Sequence, residues 1–214
     1  MSGIKVFEKY AGRYEAWFEK YRFVYKSELR AVKRMIPKHK NGIEIGVGTG
    51  RFAVPLGIKT GIEPAKNMGK VAKQRGIEVI EGTAESLPFE NSGFDFALMV
   101  TTVCFLDDID AAFKEAWRIL KPGGFLIIGL VDKESSLGRL YLKNRKLSHF
   151  YINAAFYSVE AIVKYLKNSG FKGFKFVQTI FHGLKEIKKV ELVKSGYGEG
   201  SFVVIKARKK GGSL

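Results

Sequence analysis

A chain of 214 residues, 46% of them apolar, fits one domain with a sizeable core and leaves little room for several. Its longest apolar runs, such as the seven residues Phe125–Val131, fall well short of the ~20 needed to span a bilayer. The opening MSGIKVFEKY is charged from its start and the single cysteine, Cys104, excludes an internal disulfide and a cysteine-rich metal site; together they predict a soluble, cytoplasmic protein without a membrane partner. The formal charge of +16 has two readings: a polyanionic partner such as RNA, or the lysine-rich surface of a heat-adapted protein. Scattered lysines, two glutamines (Gln74 and Gln178) and no dense arginine block favour the second, thermophile reading.

Along the chain, Phe7, Tyr10, Tyr14, Trp17, Phe18 and Tyr21 recur at three- and four-residue steps, so residues 3–36 read as helical up to Pro37. Residues 41–131 then alternate short apolar runs with helical stretches, the rhythm of a parallel βαβ sheet. The runs are Gly42–Gly46, Thr60–Glu63, Glu78–Glu81, Phe94–Val100 and Phe125–Val131. Residues 158–169 predict a helix capped by Ser158 and closed by Gly170. Strands follow at Lys175–Phe181 and Ser201–Ala207, joined by a long hairpin connection over 182–200, and Lys209–Leu214 reads as a disordered tail.

The strand Gly42–Ile45 runs directly into Gly46, Gly48 and Gly50. Side chains there would block a ligand approaching backbone at the carboxyl end of the first strand. The spacing G-x-G-x-G differs from the dinucleotide pattern G-x-G-x-x-G, because Arg51 takes the third glycine's place. Glu63, closing the next strand, can accept both hydroxyls of a ribose. An ordinary turn is the alternative to a nucleoside site.

Four phrases in this order resemble the class I S-adenosylmethionine (SAM)-dependent methyltransferases: EIGVGTGRF, GIEP, EGTAESLPFENSGFDFALM and EAWRILKPGGFLIIG. The resemblance covers residues 38–131 well and the rest loosely. It implies a Rossmann-like, doubly wound α/β sheet of seven strands, mostly parallel with an antiparallel last strand. The chain reads as a single domain: an N-terminal helical cover (1–37), a cofactor core (38–132), a segment 133–157 whose Arg/Lys and Tyr/Phe mix suggests a substrate lid, with a helix packed over the sheet as the alternative, and a C-terminal helix with strands (158–208). SAM would be held by Glu44, Gly46, Gly48, Thr49 and Gly50, with Glu63 and Pro64 at the ribose. Thr83 stands where the family commonly has Asp, so Ala84 or Glu85 takes the adenine contact instead. Thr101 and Thr102, after the fourth strand, would run beside the methionine moiety. Tyr14 and Tyr10 are candidates from the helical cover, the alternative being a buried helix face.

In-line methyl transfer from a sulfonium mainly requires positioning, so no acid–base triad is needed and the catalytic residues are unassigned. Asp132 and His149 are the candidates for a general base, each with a plain surface reading beside it. Cys104 reads as core or lining, and Asp107 and Asp108 as the start of a helix. Methyl transfer to a small-molecule acceptor is the favoured function. An RNA or protein methyltransferase and a non-catalytic SAM-binding protein are the alternatives. The D/N-P-P-Y motif of amino-methylating nucleic-acid enzymes is absent after the fourth strand, where TTVC stands.

Overall fold

The computed structural model describes residues 2–38 and 40–211. The helical opening divides in two, α1 (Ser2–Lys20) and α2 (Arg22–Met35), and α1 is kinked where Tyr10 leaves helical geometry (φ −118°, ψ 27°). The βαβ rhythm follows as β1 (Gly42–Ile45), a four-residue α3 (Ala53–Leu56), β2 (Thr60–Ile62), α4 (Lys66–Gln74), β3 (Glu78–Ile80) and β4 (Phe94–Val100). Then come α5 (Ile109–Ile119), β5 (Leu120–Val131), α6 (Ser136–Lys143), α7 (Val159–Asn168), β6 (Phe171–Thr179), β7 (Lys194–Ser195) and β8 (Phe202–Lys209). Side-chain caps start three of the helices: Asp108 accepts from Ala111 N, Ser135 from Gly138 N and Ser158 from Ala161 N.

The strands form one sheet in the order β3-β2-β1-β4-β5-β8-β6-β7. Pairings from β3 through β5 are parallel, while β8 is antiparallel to both β5 and β6. The last strand is therefore antiparallel, as expected, but the sheet has eight strands rather than seven. The extra one is the two-residue β7, which pairs with β6 inside the predicted hairpin connection. Chain direction across the sheet reverses at β1, which has β2 on one side and β4 on the other. That arrangement opens a crevice at the strands' carboxyl ends.

Alternation along the central strands feeds two cores. On one face Ala97, Met99, Leu126, Ile128, Val203 and Ile205 pack with α5 and α7. On the other Phe96, Leu98, Ile127, Phe202 and Val204 pack with α2, α3 and α4. Both faces are covered, so the parallel strands are apolar on both sides.

One sequence reading fails at the carboxyl end. Lys209 was expected in a disordered tail, but it ends β8, is 5% exposed, and sits 3.8 Å over the Trp117 ring. Its Nζ donates to Trp117 O (2.8 Å) and Leu120 O (2.6 Å), the carbonyls left open where α5 turns into β5. Residues 212–214 lie outside the described residues. Replacing the ammonium by a thioether strands those carbonyls. Lys209→Met should therefore cost about 1–3 kcal/mol in chemical denaturation; an unchanged midpoint would show that the contact contributes nothing.

Candidate functional site

The site is built at the reversal point. Beyond β1 the backbone turns through left-handed φ at Gly46 (+74°), Gly48 (+56°) and Gly50 (+81°). Gly46 and Val47 both donate to Ile62 O at 2.9 Å, which ties the loop to the end of β2. A Cβ on Gly46 would lie 2.6 Å from Thr102 Cγ2, so only glycine fits. At Gly48 the protein leaves room, the nearest atom to a Cβ being Tyr14 Oη at 3.4 Å, but the positive φ strains any side chain.

Glu63 fixes the loop from the other side. Its Oε2 accepts from Gly48 N (2.8 Å) and its Oε1 from Ala65 N (2.9 Å). It is buried at the end of β2. Burial pushes its carboxyl up to about 6, against the pull of the Ala65 and Gly48 N–H groups. Glu44, beneath the loop, is also buried. Its Oε2 has no hydrogen-bond partner among the described residues, and burial holds the carboxyl well above the usual range.

A cavity of about 860 Å³ opens over these groups. Gly46, Gly48, Glu63, Pro64, Thr83, Ala84, Glu85, Thr101, Thr102 and Tyr14 all line it. The sequence candidates Glu44, Thr49 and Gly50 do not. Thr49 is fully buried and its hydroxyl donates to Glu15, on the far side of the loop. Thr101 takes a left-handed φ of +52°, uncommon for a β-branched residue, and its N–H donates to Gly129 O (2.8 Å). Thr102 Oγ1 donates to Val100 O (3.2 Å) or Ile45 O (3.3 Å). Glu85 Oε1 accepts from Asp107 N (3.0 Å) and so holds the segment that follows β4.

The other candidates stand outside the cavity wall. Asp132 is buried beneath α6, its Oδ1 accepting from Glu134 N (3.1 Å), where it shapes the chain after β5. His149 is exposed and stacked on Tyr10 at 4.9 Å. Cys104 Sγ donates to Thr101 O (3.3 Å), and burial pushes the thiol up to about 12, far from a nucleophilic thiolate. None of the three reaches the space in which a base would act.

The roof comes from both ends of the chain. Phe7, Tyr14, Trp17, Phe18 and Tyr21 of the N-terminal helices line the cavity, and the segment after β5 adds Leu140, Tyr141, Phe150 and Tyr151. The aromatic stripe of the N-terminal helix is therefore a cavity face. Sequence reasoning missed Glu28. It lies on α2 among the buried positions Val24, Ala31, Val32 and Met35, and it lines the cavity while only 6% exposed. A glutamate at a core position of an amphipathic helix was the available signal.

Glu15 locks the roof to the loop. Its carboxylate takes Arg51 Nη2 (2.5 Å), Arg75 Nη2 (2.6 Å) and the Thr49 hydroxyl. Burial opposes its ionisation, but the bonds from Arg75, Arg51 and Thr49 prevail and hold it at about 2. Arg51, in the place of a dinucleotide fingerprint's third glycine, is thus engaged by the roof. On the loop's other side Glu63 occupies the Gly48 N–H that a pyrophosphate would need.

The comparisons with known proteins agree with this geometry. A family profile described as a methyltransferase domain matches residues 43–128. A solved structure from Thermotoga maritima, described as a SAM-dependent methyltransferase, possible histamine N-methyltransferase, is 54% identical. The alignment covers 97% of this chain and all of that one, with a TM-score of 0.95. An uncharacterized protein of Methanocaldococcus jannaschii is 48% identical over 206 residues, 96% of this chain and 100% of its own length. Demethylmenaquinone methyltransferase of Chlorobaculum tepidum is 28% identical over 165 residues, 65% of this chain and 68% of that protein. The chain belongs to the class I SAM-dependent methyltransferase family. The heat-adapted reading of its composition fits its Thermotoga and Methanocaldococcus relatives.

Because Glu15 sits near 2 in the folded chain against an ordinary 4.5, its ionised form stabilises the fold above about pH 4.5. That contribution is lost as pH falls from 4.5 toward 2. Glu15→Gln should lower the melting temperature at pH 7, and the difference from the native protein should vanish toward pH 2. A gap independent of pH would mean that the carboxylate's charge is not what holds the roof.

Proposed function

We propose that this protein transfers the methyl group of SAM to a small-molecule acceptor bound in the aromatic part of the same cavity. One observation carries the reading. A single covered cavity joins the glycine loop, Glu63 and the Thr83–Glu85 segment to a chamber of Trp17, Tyr21, Tyr141 and Tyr151. Its volume is at the upper end of small-ligand pockets, which run to about 1,000 Å³. The Thermotoga relative's description and the quinone enzyme of Chlorobaculum both name small acceptors. An RNA acceptor is disfavoured by the aromatic, mainly apolar lining of the cavity beside Glu63.

The residues fit the cofactor. Gly46 and Gly48 leave backbone bare where a ligand passes, and Glu63, already oriented by two N–H groups, retains lone pairs for ribose hydroxyls. Thr83, Ala84 and Glu85 border the adenine side, with Pro64 beside Glu63. Thr101, Thr102 and Tyr14 border the methionine side. SAM supplies a methyl group on a positively charged sulfur that departs as a neutral thioether. The protein's part is to exclude water with its aromatic roof and to hold the acceptor in line. The carboxylate of Glu63, ionised above about pH 6, places a negative charge on the cavity floor that suits a cationic donor.

Calorimetry should detect S-adenosylhomocysteine and SAM at micromolar affinity or better and NAD not at all; the reverse order would defeat the assignment. Glu63→Ala should lose about 1.5–3 kcal/mol of cofactor binding, and Gly48→Val should abolish it in a protein that still folds. Ribose hydroxyls favour the ionised carboxylate, so affinity for S-adenosylhomocysteine should fall as pH drops through about 6, and Glu63→Gln should flatten that step. A step that survives in the variant belongs to another group.

A further inference from the structure

The aromatic chamber contains one buried ionisable group that cofactor binding does not require. Glu28 lines the cavity from α2 yet is only 6% exposed. No hydrogen bond to its carboxyl is formed by any described residue; the hydroxyls of Tyr14, Tyr141 and Tyr151 feel its charge without bonding to it. Trp17 and Tyr21 stand 5.5 Å apart between ring centroids, and Tyr141 and Tyr151 stack at 4.9 Å. The basic side chains that line the cavity among the described residues, Arg13 and Lys20, are both exposed.

A buried, unpartnered carboxyl is costly unless a ligand completes it. An alcohol or a phenol would give it one neutral hydrogen bond. A protonated amine would give it a charge-assisted bond and would turn its remaining surface to aromatic faces, which attract cations. We propose that the acceptor is a small aliphatic amine, that Glu28 is the catalytic residue that receives its ammonium group, and that Trp17, Tyr21, Tyr141 and Tyr151 enclose it. The inference rests on the methyltransferase reading and deepens it by naming the acceptor class.

The chemistry balances. The arriving ammonium draws the proton of the neutral Glu28 acid off to water and pairs with the carboxylate; one ammonium proton then passes to that carboxylate, leaving a neutral amine beside a neutral acid. Burial favours this exchange, since it already pushes the carboxyl up to about 8. The nitrogen lone pair then forms the N–C bond to the methyl carbon. The C–S bond breaks with its electron pair on sulfur, giving a methylated ammonium and a thioether. As the product leaves, Glu28 remains the neutral acid with which the cycle began, the net proton having gone to water on binding.

The test uses the full chain saturated with S-adenosylhomocysteine. Aromatic ethylamines (2-phenylethylamine, tryptamine and histamine) are titrated by calorimetry against the alcohols in which hydroxyl replaces the ammonium. At least one amine should bind about tenfold or more tightly than its alcohol, and labelled methyl from SAM should appear on its nitrogen. Glu28→Gln should erase the preference while S-adenosylhomocysteine affinity is unchanged. Glu28→Asp should restore part of it. The proposal is overturned if every alcohol binds as well as its amine, a comparison made on the native protein alone. It is also overturned if Glu28→Gln keeps the preference, or if that variant loses SAM but not S-adenosylhomocysteine, which would assign the carboxylate to the sulfonium. Failure of the native protein to bind S-adenosylhomocysteine would instead defeat the underlying cofactor reading.

Discussion

The Glu63 carboxylate reaches across the sheet's reversal point and takes N–H groups from two different segments, Gly48 in the loop after β1 and Ala65 at the start of α4. Neither segment could hold its path alone. The loop turns through three left-handed residues and has few hydrogen bonds of its own, and β2 is three residues long. By joining them, one side chain sets the crevice floor, and its buried position keeps both oxygens oriented. The price is a desolvated carboxyl, which explains why its ionisation is displaced upward despite two donors.

The same logic organises charge over the whole molecule. The chain carries a large positive excess, yet Glu28, Glu44 and Glu63 are all buried near the cavity while its lysines lie mostly outside. Low dielectric strengthens the interior fields, whereas salt screens the exterior ones. The buried acids therefore sit at or beside the cavity, Glu28 and Glu44 with their ionisation suppressed by burial, and the net charge says little about the cavity lining.

Sequence reading recovered the parts of the fold that repeat a period. The β1–β5 runs, the Ser158 cap and the antiparallel last strand follow from alternation, turn chemistry and family phrasing. It missed features that depend on tertiary partners. The two-residue β7 has no period to read, and Lys209 looks like tail until Trp117 is placed beneath it. At the site, ten of the suggested residues line the cavity, because motif positions are fixed locally by strand ends. Thr49 faces away because a partner 34 residues earlier in the chain, Glu15, captures its hydroxyl. Glu28 was hidden for a related reason. Its place among the apolar positions of α2 was readable, but only the packing of α2 against the sheet brings it to the cavity.

The anchoring of α1 bears on how ligands come and go. The helix is fastened at two places: near its start, where Glu8 Oε2 and Glu8 O accept from Asn67 N and Asn67 Nδ2, and near its end, through Glu15. Between them lies the non-helical Tyr10, a ready-made joint. The first fastening is two exposed neutral-donor bonds, and the second is a half-buried ionic cluster. Their unequal strength leaves the part of α1 before Tyr10 the less firmly tied one, held besides by Phe7 against Phe105 and Phe150. Tyr14 and Trp17 lie on the firmly tied side of that joint, so a movement of the segment before it would leave those two rings of the cavity wall where they are.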